Sequence, residues 1–247
     1  MGTENVQYVS EDGVATISIN RPEQLNALDE EVVTGLHDAW VRFESSSDRV
    51  AILTGVGDRA FCAGVDVKNP PSELWRAVPG VGAVVTKPVI GAIFGHCIGA
   101  GSVLALHCDL AVAAADAKFR YPEGVIGATG GLGASSVVRM APKFAMEFLL
   151  LGQTIAAQRA YEIGMVNRVV PEGTHHQAAS EMGRLVGERA PLVMATLKSF
   201  ADQTLPRSPA ELHAHARLQI LEIRESSDRI EGMRAAQEKR APVFRGR

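Results

Sequence analysis

What most limits the folds open to this chain is a series of short, fully apolar, β-prone runs spaced by helical patterns. Residues 50–53 (Val-Ala-Ile-Leu) read as a strand buried on both faces. Residues 6–9 and 14–19 read as strands separated by a turn at Glu11-Asp12-Gly13. Lys87-Pro88 opens a further run that ends at Ile93, and residues 110–114 form another. Between these runs, Asp29 suits the N-cap of a helix whose apolar positions are Val32, Val33, Leu36, Trp40 and Phe43. A second helix is expected over 99–107. Strands alternating with helices predict an α/β fold with parallel pairing. After Gly130 helical patterns take over, at 135–140, 143–151, 156–163, 177–188, 191–203 and 210–239. The expected organisation is a mixed core over 1–190 and a helical C-terminal region over 191–247 that serves oligomerisation and covers the site.

Composition narrows the function classes. The chain has 247 residues, 46% of them hydrophobic and 21% charged, enough to bury roughly 70% of its unfolded surface in one sizeable core. A net charge of −3 advertises no polyanion-binding surface, so no nucleic-acid partner is expected. Three cysteines, Cys62, Cys97 and Cys108, are too few for a disulfide framework and point to a reducing compartment. Residues 1–10 lack a basic region followed by an apolar run, and Gly2 has no Ser or Thr at position 6. Neither a signal peptide nor myristoylation is therefore expected, and the location is read as cytoplasmic. Residues 88–107 carry no formal charge if His is neutral, and their length would suit a membrane span. Gly91, Gly95, Gly99 and Gly101 interrupt that stretch, which favours a buried strand, a glycine turn and a buried helix. Pro70, Pro71 and Pro79 predict an irregular, mobile segment over 69–79.

Several familiar motifs fail on spacing. Gly99-Ala100-Gly101 follows a strand and opens a helix, but Leu104 stands where a dinucleotide fingerprint needs glycine. No Walker lysine and no Gly-x-Ser-x-Gly elbow occur. His175-His176 and His213-x-His215 do not have the i, i+4 spacing of two metal ligands on one helix face. They are read as surface histidines, and no metal site is expected.

Two glycine-containing turns remain, Phe61-Cys62-Ala63-Gly64-Val65-Asp66 and Gly95-His96-Cys97-Ile98-Gly99-Ala100-Gly101. Small residues let a ligand approach the backbone, and two converging amides would form an oxyanion hole. Each turn on its own is better explained by tight packing of helix on sheet. A lone carboxylate follows in Tyr121-Pro122-Glu123-Gly124, between two glycine-rich segments. If desolvated, Glu123 has a raised pKa and suits acid–base work. If it faces water, it is an ordinary loop residue. His96 adjoins the second turn as a possible base or as a hydrogen-bonded core histidine.

Taken together, these residues resemble the crotonase superfamily, the enoyl-CoA hydratase/isomerase group, over nearly the whole chain. The resemblance rests on Arg21-Pro22-Glu23-Gln24-Leu25-Asn26-Ala27-Leu28, on residues 60–68, on Lys87-Pro88-Val89-Ile90 with the turn over 95–101, and on Cys108-Asp109. It continues over residues 160–171 and in the tail with Glu231-Gly232-Met233 and Glu238-Lys239-Arg240. It implies a crotonase-like spiral of ββα turns with a helical C-terminal region, assembled as a homotrimer or a dimer of trimers. The implied substrate is an acyl-coenzyme A thioester, with coenzyme A entering as part of it and no separate cofactor. By position, the amides of Val65 and Ala100 would hold the thioester oxygen as an enolate forms, and Glu123 would move the proton. Adenine would lie against the backbone of Ala63, Asp66 and Val67, with Lys68 and Lys239 near the phosphates. The segment 68–85 would help wall the acyl pocket.

One departure bears on the reaction. Typical hydratases of the family carry two glutamates, and the earlier of the two positions is Val103 here. A valine can neither activate water nor give a proton. Isomerisation of a 3-enoyl to a 2-enoyl thioester needs one base only, so it is the favoured reading. The alternatives are a hydratase working with Glu123 alone, a β-keto or thioester hydrolase, and a relative that binds acyl-CoA without catalysis. The hydrolase reading draws on residues 130–135, which are similar to a stretch in ring-cleaving relatives, but it is weakened by Thr129 where an acid would be expected.

Overall fold

The computed structural model describes residues 5–246. Residues 1–4, including Gly2 and part of the stretch read as lacking a signal peptide, and residue 247 lie outside the described residues. The strands are β1 (Val6–Glu11), β2 (Val14–Ile19), β3 (Val50–Gly55), β4 (Ala60–Cys62), β5 (Val89–Ile93), β6 (His96–Ile98), β7 (Leu110–Ala114), β8 (Lys118–Arg120), β9 (Ile155–Ala156) and β10 (Arg168–Val170). The helices are α1 (Glu30–Ser45), α2 (Ala100–Leu106), α3 (Glu123–Ile126), α4 (Ser136–Arg139), α5 (Pro142–Leu151), α6 (Ala157–Glu162), α7 (His175–Gly187), α8 (Pro191–Thr204), α9 (Pro209–Glu225) and α10 (Ser227–Glu238).

Two sheets result. The larger runs β1-β2-β3-β5-β7-β10 and is parallel except for the β1–β2 hairpin. The smaller runs β4-β6-β8-β9, with β4, β6 and β8 parallel and β9 antiparallel. From β3 to β8 the chain places one strand in the larger sheet and the next in the smaller. This alternation is the expected spiral of ββα turns. β3 and β5 are buried almost throughout, as the unbroken apolar runs require.

The first long helix forms as its sequence dictates. Asp29 Oδ1 accepts the Val32 N–H at 2.9 Å, which satisfies one of the free donors of the first turn. Val32, Val33, Leu36, Trp40 and Phe43 are buried on its inner face. The uncharged stretch over 88–107 is not a membrane span but β5, β6 and α2. Among the described residues no helix is long and apolar enough to cross a membrane.

Four expectations need correction. The turn over 95–101 contains a strand, β6, because its backbone pairs with β4 and β8 on both sides. The segment over 69–79 is exposed only in its first part. It then forms a 3-10 turn at Leu74–Ala77, and the Trp40 indole N–H donates to the buried Ala77 carbonyl at 2.8 Å. The helical pattern over 210–239 is two helices, because Ser226 leaves the helical backbone and its hydroxyl caps α10 at Arg229 N. His175 is also less exposed than expected, stacking on Phe94 with ring centroids 4.6 Å apart.

A buried polar link ties the C-terminal helices to α2. His107 Nδ1 lies 2.9 Å from the Val103 carbonyl, and Nε2 lies 3.3 Å from Glu211 Oε1. Glu211 in turn closes a capping box with Ser208 at the start of α9. Burial alone would raise the Glu211 pKa, but hydrogen bonds from His107 and Ser208 hold it down to about 2. A depressed carboxylate pKa stabilises the fold above the ordinary value of 4.5, and that stabilisation is lost as pH falls towards 2. Glu211→Gln is therefore expected to cost about 2 kcal/mol at neutral pH. It should also flatten the loss of stability between pH 4.5 and pH 2, as followed by denaturant titration at stepped pH.

Candidate active site

The parallel strands of the smaller sheet end side by side, and the chain leaving each one reaches the same place. Gly64-Val65 follows β4, Gly99-Ala100 follows β6, and Tyr121-Pro122-Glu123 follows β8. This is the carboxyl edge of a parallel sheet, where ligands of α/β proteins gather. The three segments line one cavity of about 440 Å³. Val103, Leu74, Ile126 and Leu132 supply much of its apolar wall.

Two glycines let the turns meet. Gly64 has φ +100°, and a Cβ there would stand 3.0 Å from the Ile98 carbonyl oxygen and 3.7 Å from the Ala100 nitrogen. Gly99 has φ +55°, and a Cβ there would stand 3.0 Å from Glu123 Oε1. Both positions combine left-handed backbone with close approach, which only glycine accommodates without strain. Leu28 holds the first turn in place. Its N–H donates to Gly64 O at 2.8 Å, and its carbonyl accepts the Asp66 N–H at 2.9 Å. The Val65 N–H lies between these two bonds in the parallel bridge to Leu28 and is left unused by Leu28. Ala100 is the first residue of α2, where a helix leaves its N–H without an intrahelical acceptor.

Glu123 is half-buried at the start of α3. Its Oε2 is buried with no hydrogen-bond partner among the described residues. That burial pushes its pKa up from 4.5 to about 7, against a smaller downward pull from its own backbone N–H. Val103 is 4% exposed and lines the same cavity.

The structure thus brings Val65, Ala100 and Glu123 together. Ala63 and Val67 also line the cavity. Asp66, Lys68 and Lys239 do not. The Asp66 carboxylate accepts the Lys68 N–H at 3.0 Å and sits 3.2 Å from the Arg21 guanidinium, and both hold its pKa below the usual range. Lys68 is exposed, and Lys239 is the exposed left-handed cap of α10. His96 lies in β6, outside the cavity wall. Pro70 and Leu74 are the members of the 68–85 segment that reach the cavity. Ile98, Ile126, Ala128 and Leu132 were not anticipated as wall residues, and the only signal was their nearness in sequence to the glycine turns. Among the described residues no three His, Cys, Asp or Glu side chains are grouped to hold a metal ion.

A glycine-lined cavity at the ends of a small parallel sheet, reached by a spiral of ββα turns, is the arrangement of the crotonase fold. The solved carnitinyl-CoA dehydratase from Mycobacterium avium 104 shares it at a TM-score of 0.77 with 31% identity, over 99% of this chain and 100% of that one. A probable enoyl-CoA hydratase/isomerase from Mycobacterium abscessus does so at 0.76 with 34% identity, over 99% and 100%. In sequence, the (E)-benzylidenesuccinyl-CoA hydratase of Thauera aromatica is 36% identical over 249 residues, 94% of this chain and 96% of the relative. The family model for enoyl-CoA hydratase/isomerase matches residues 9–247. The chain belongs to the enoyl-CoA hydratase/isomerase family of the crotonase superfamily, whose members are acyl-CoA enzymes.

Because the folded-state pKa of Glu123 is raised, ionising it costs more in the fold than in the unfolded chain. Stability should fall as pH rises from 4.5 towards 7 and stay reduced above that. Glu123→Gln should therefore raise the Tm at pH 8 by about 3 °C and leave it unchanged at pH 4, as measured by calorimetry.

Proposed function

We propose that the protein moves a double bond in an acyl-CoA thioester, converting a 3-enoyl to a 2-enoyl group, with Glu123 as the sole proton carrier. The observation that carries this reading is the pairing of one desolvated glutamate with an aliphatic residue, Val103, in a single cavity. The ionised Glu123 carboxylate takes a proton from C2. The electron pair passes into the thioester carbonyl, giving a dienolate whose oxygen is held by the amides of Val65 and Ala100. The protonated Glu123 then returns the same proton to C4, and the double bond comes to rest between C2 and C3. Val103 keeps a dry wall beside the dienolate, which disfavours water addition. Coenzyme A lies along the first turn in this reading. The Ala63 and Asp66 N–H groups already donate to Leu25 and Leu28. That leaves the Ala63 carbonyl and the exposed Val67 to meet adenine, with Lys68 and Lys239 towards the phosphates.

A second reading is hydration of a 2-enoyl thioester with Glu123 alone directing the water. It is favoured by the names of relatives, the Thauera hydratase above and the carnitinyl-CoA dehydratase of Salmonella typhi, which is 32% identical over 266 residues, 99% of this chain and 100% of the relative. The exposed Leu192, Leu197 and Phe200 of α8 form an apolar surface of the kind that marks subunit contacts. We read them as part of a trimer, alone or doubled.

Paired 3-enoyl- and 2-enoyl-CoA substrates separate the two reactions. Isomerisation leaves the mass unchanged and creates conjugated absorbance from the 3-enoyl substrate. Hydration adds one water to the 2-enoyl substrate. Glu123→Gln is expected to lower kcat by about 10²- to 10⁴-fold, and retention of full turnover would overturn its role. As a base, Glu123 must be ionised, so kcat/KM should rise with pH and level off above about 7. Val103→Glu should raise water addition to the 2-enoyl substrate at least about tenfold by supplying the missing carboxylate.

A further inference from the structure

The chemistry of the cavity wall says more about the acyl group than the family does. Among the described residues that line it, Glu123 is the only charged one. The apolar wall comes from side chains such as Val65, Leu74, Val103, Ile126 and Leu132. Two side-chain hydroxyls are present, both neutral, and both make contacts in or beside the glycine-rich turn that follows. Thr129 Oγ1 accepts the Gly131 N–H at 3.0 Å. The Tyr121 hydroxyl lies 3.5 Å from Thr129 Oγ1. Arginines near these strands are engaged elsewhere. Arg120 Nε donates to the Gly152 carbonyl at 2.8 Å, and Arg139 faces Glu211 at 3.5 Å.

We propose that this cavity excludes acyl groups that carry a carboxylate, because its wall offers no cation and already holds Glu123. The proposal rests on reading the cavity as the acyl-thioester site. A carboxylate drawn into it would give up water without gaining a charged partner. It would also face a carboxylate that must ionise for the reaction to begin, and two close carboxylates resist being ionised together. An alkyl or aryl group meets neither obstacle and covers apolar wall that is otherwise wet.

The test uses two freshly prepared saturated thioesters with four-carbon acyl groups, butyryl-CoA and succinyl-CoA, with free coenzyme A as reference. Binding is measured by titration calorimetry at pH 8. Butyryl-CoA is expected to bind more tightly than free coenzyme A, and succinyl-CoA at least tenfold more weakly than butyryl-CoA. Leu74→Arg places a cation on the wall at a residue that is only partly buried. It should narrow the ratio by strengthening succinyl-CoA. Glu123→Gln removes the like charge and should narrow the ratio as well. Equal binding of the two thioesters to the unaltered enzyme overturns the proposal and leaves the acyl-site reading intact. A ratio that neither variant moves overturns it too. If neither thioester binds more tightly than free coenzyme A, the acyl-site reading itself fails, and the proposal with it.

Discussion

The parallel pairing of three strands, each three residues long, decides whether this molecule has a site at all. β4, β6 and β8 are held in register by Cys62 against Cys97, Cys97 against Phe119 and Ile98 against Arg120. The pairing continues past the strands. Gly99 N–H donates to Arg120 O at 2.8 Å, and the Ser102 hydroxyl reaches back to Cys97 O at 2.7 Å. Each bond fixes where one strand hands over to the next segment. A slip of one residue would turn every side chain of the slipped strand to the other face. It would also carry Gly64 or Gly99 out of the contact that brings Val65, Ala100 and Glu123 to one cavity. Gly101 adds a steric lock, since a Cβ there would overlap the Cys62 carbonyl.

Within that frame Glu123 is deliberately ill at ease. One of its oxygens is buried without a partner among the described residues, and the pKa rises as a result. The fold carries this cost, and the rest of the structure holds the side chain there. A carboxylate in such a setting switches between ionised and neutral forms near neutral pH, which is the property a proton carrier needs. The same burial that would suit the residue to the proposed proton transfer makes it a weak point for stability.

Much of the fold was legible in the sequence, and the reasons differ from element to element. α1 was legible because one capping residue and one apolar stripe say the same thing, and both are local. β3 and β5 were legible because burial on both faces leaves an unbroken apolar run. β6 was not, because three residues between glycines show no period, and their strand character comes from neighbours at Ala60 and Lys118. The break at Ser226 was hidden by a helical pattern that continues on both sides of it. In the site, the residues that converge were legible through the resemblance, whereas the wall was legible only in part. Leu74 falls in the segment 68–85 expected to wall the pocket, but Ile126 and Leu132 join it through space, marked only by their nearness to glycine-rich turns. His107 and Glu211, 104 residues apart, carry no sequence signal of their partnership.

That last pair changes how the C-terminal helices should be regarded. Glu211 belongs to the first turn of α9, and through His107 it holds the Val103 carbonyl on α2. Val103 is a wall residue of the cavity, and Ala100 lies one turn before it. Fraying at the start of α9 would therefore release the His107 ring that contacts the Val103 carbonyl. Amide-exchange protection in α2 is then expected to depend on the docking of α9 as well as on the hydrogen bonds of α2 itself.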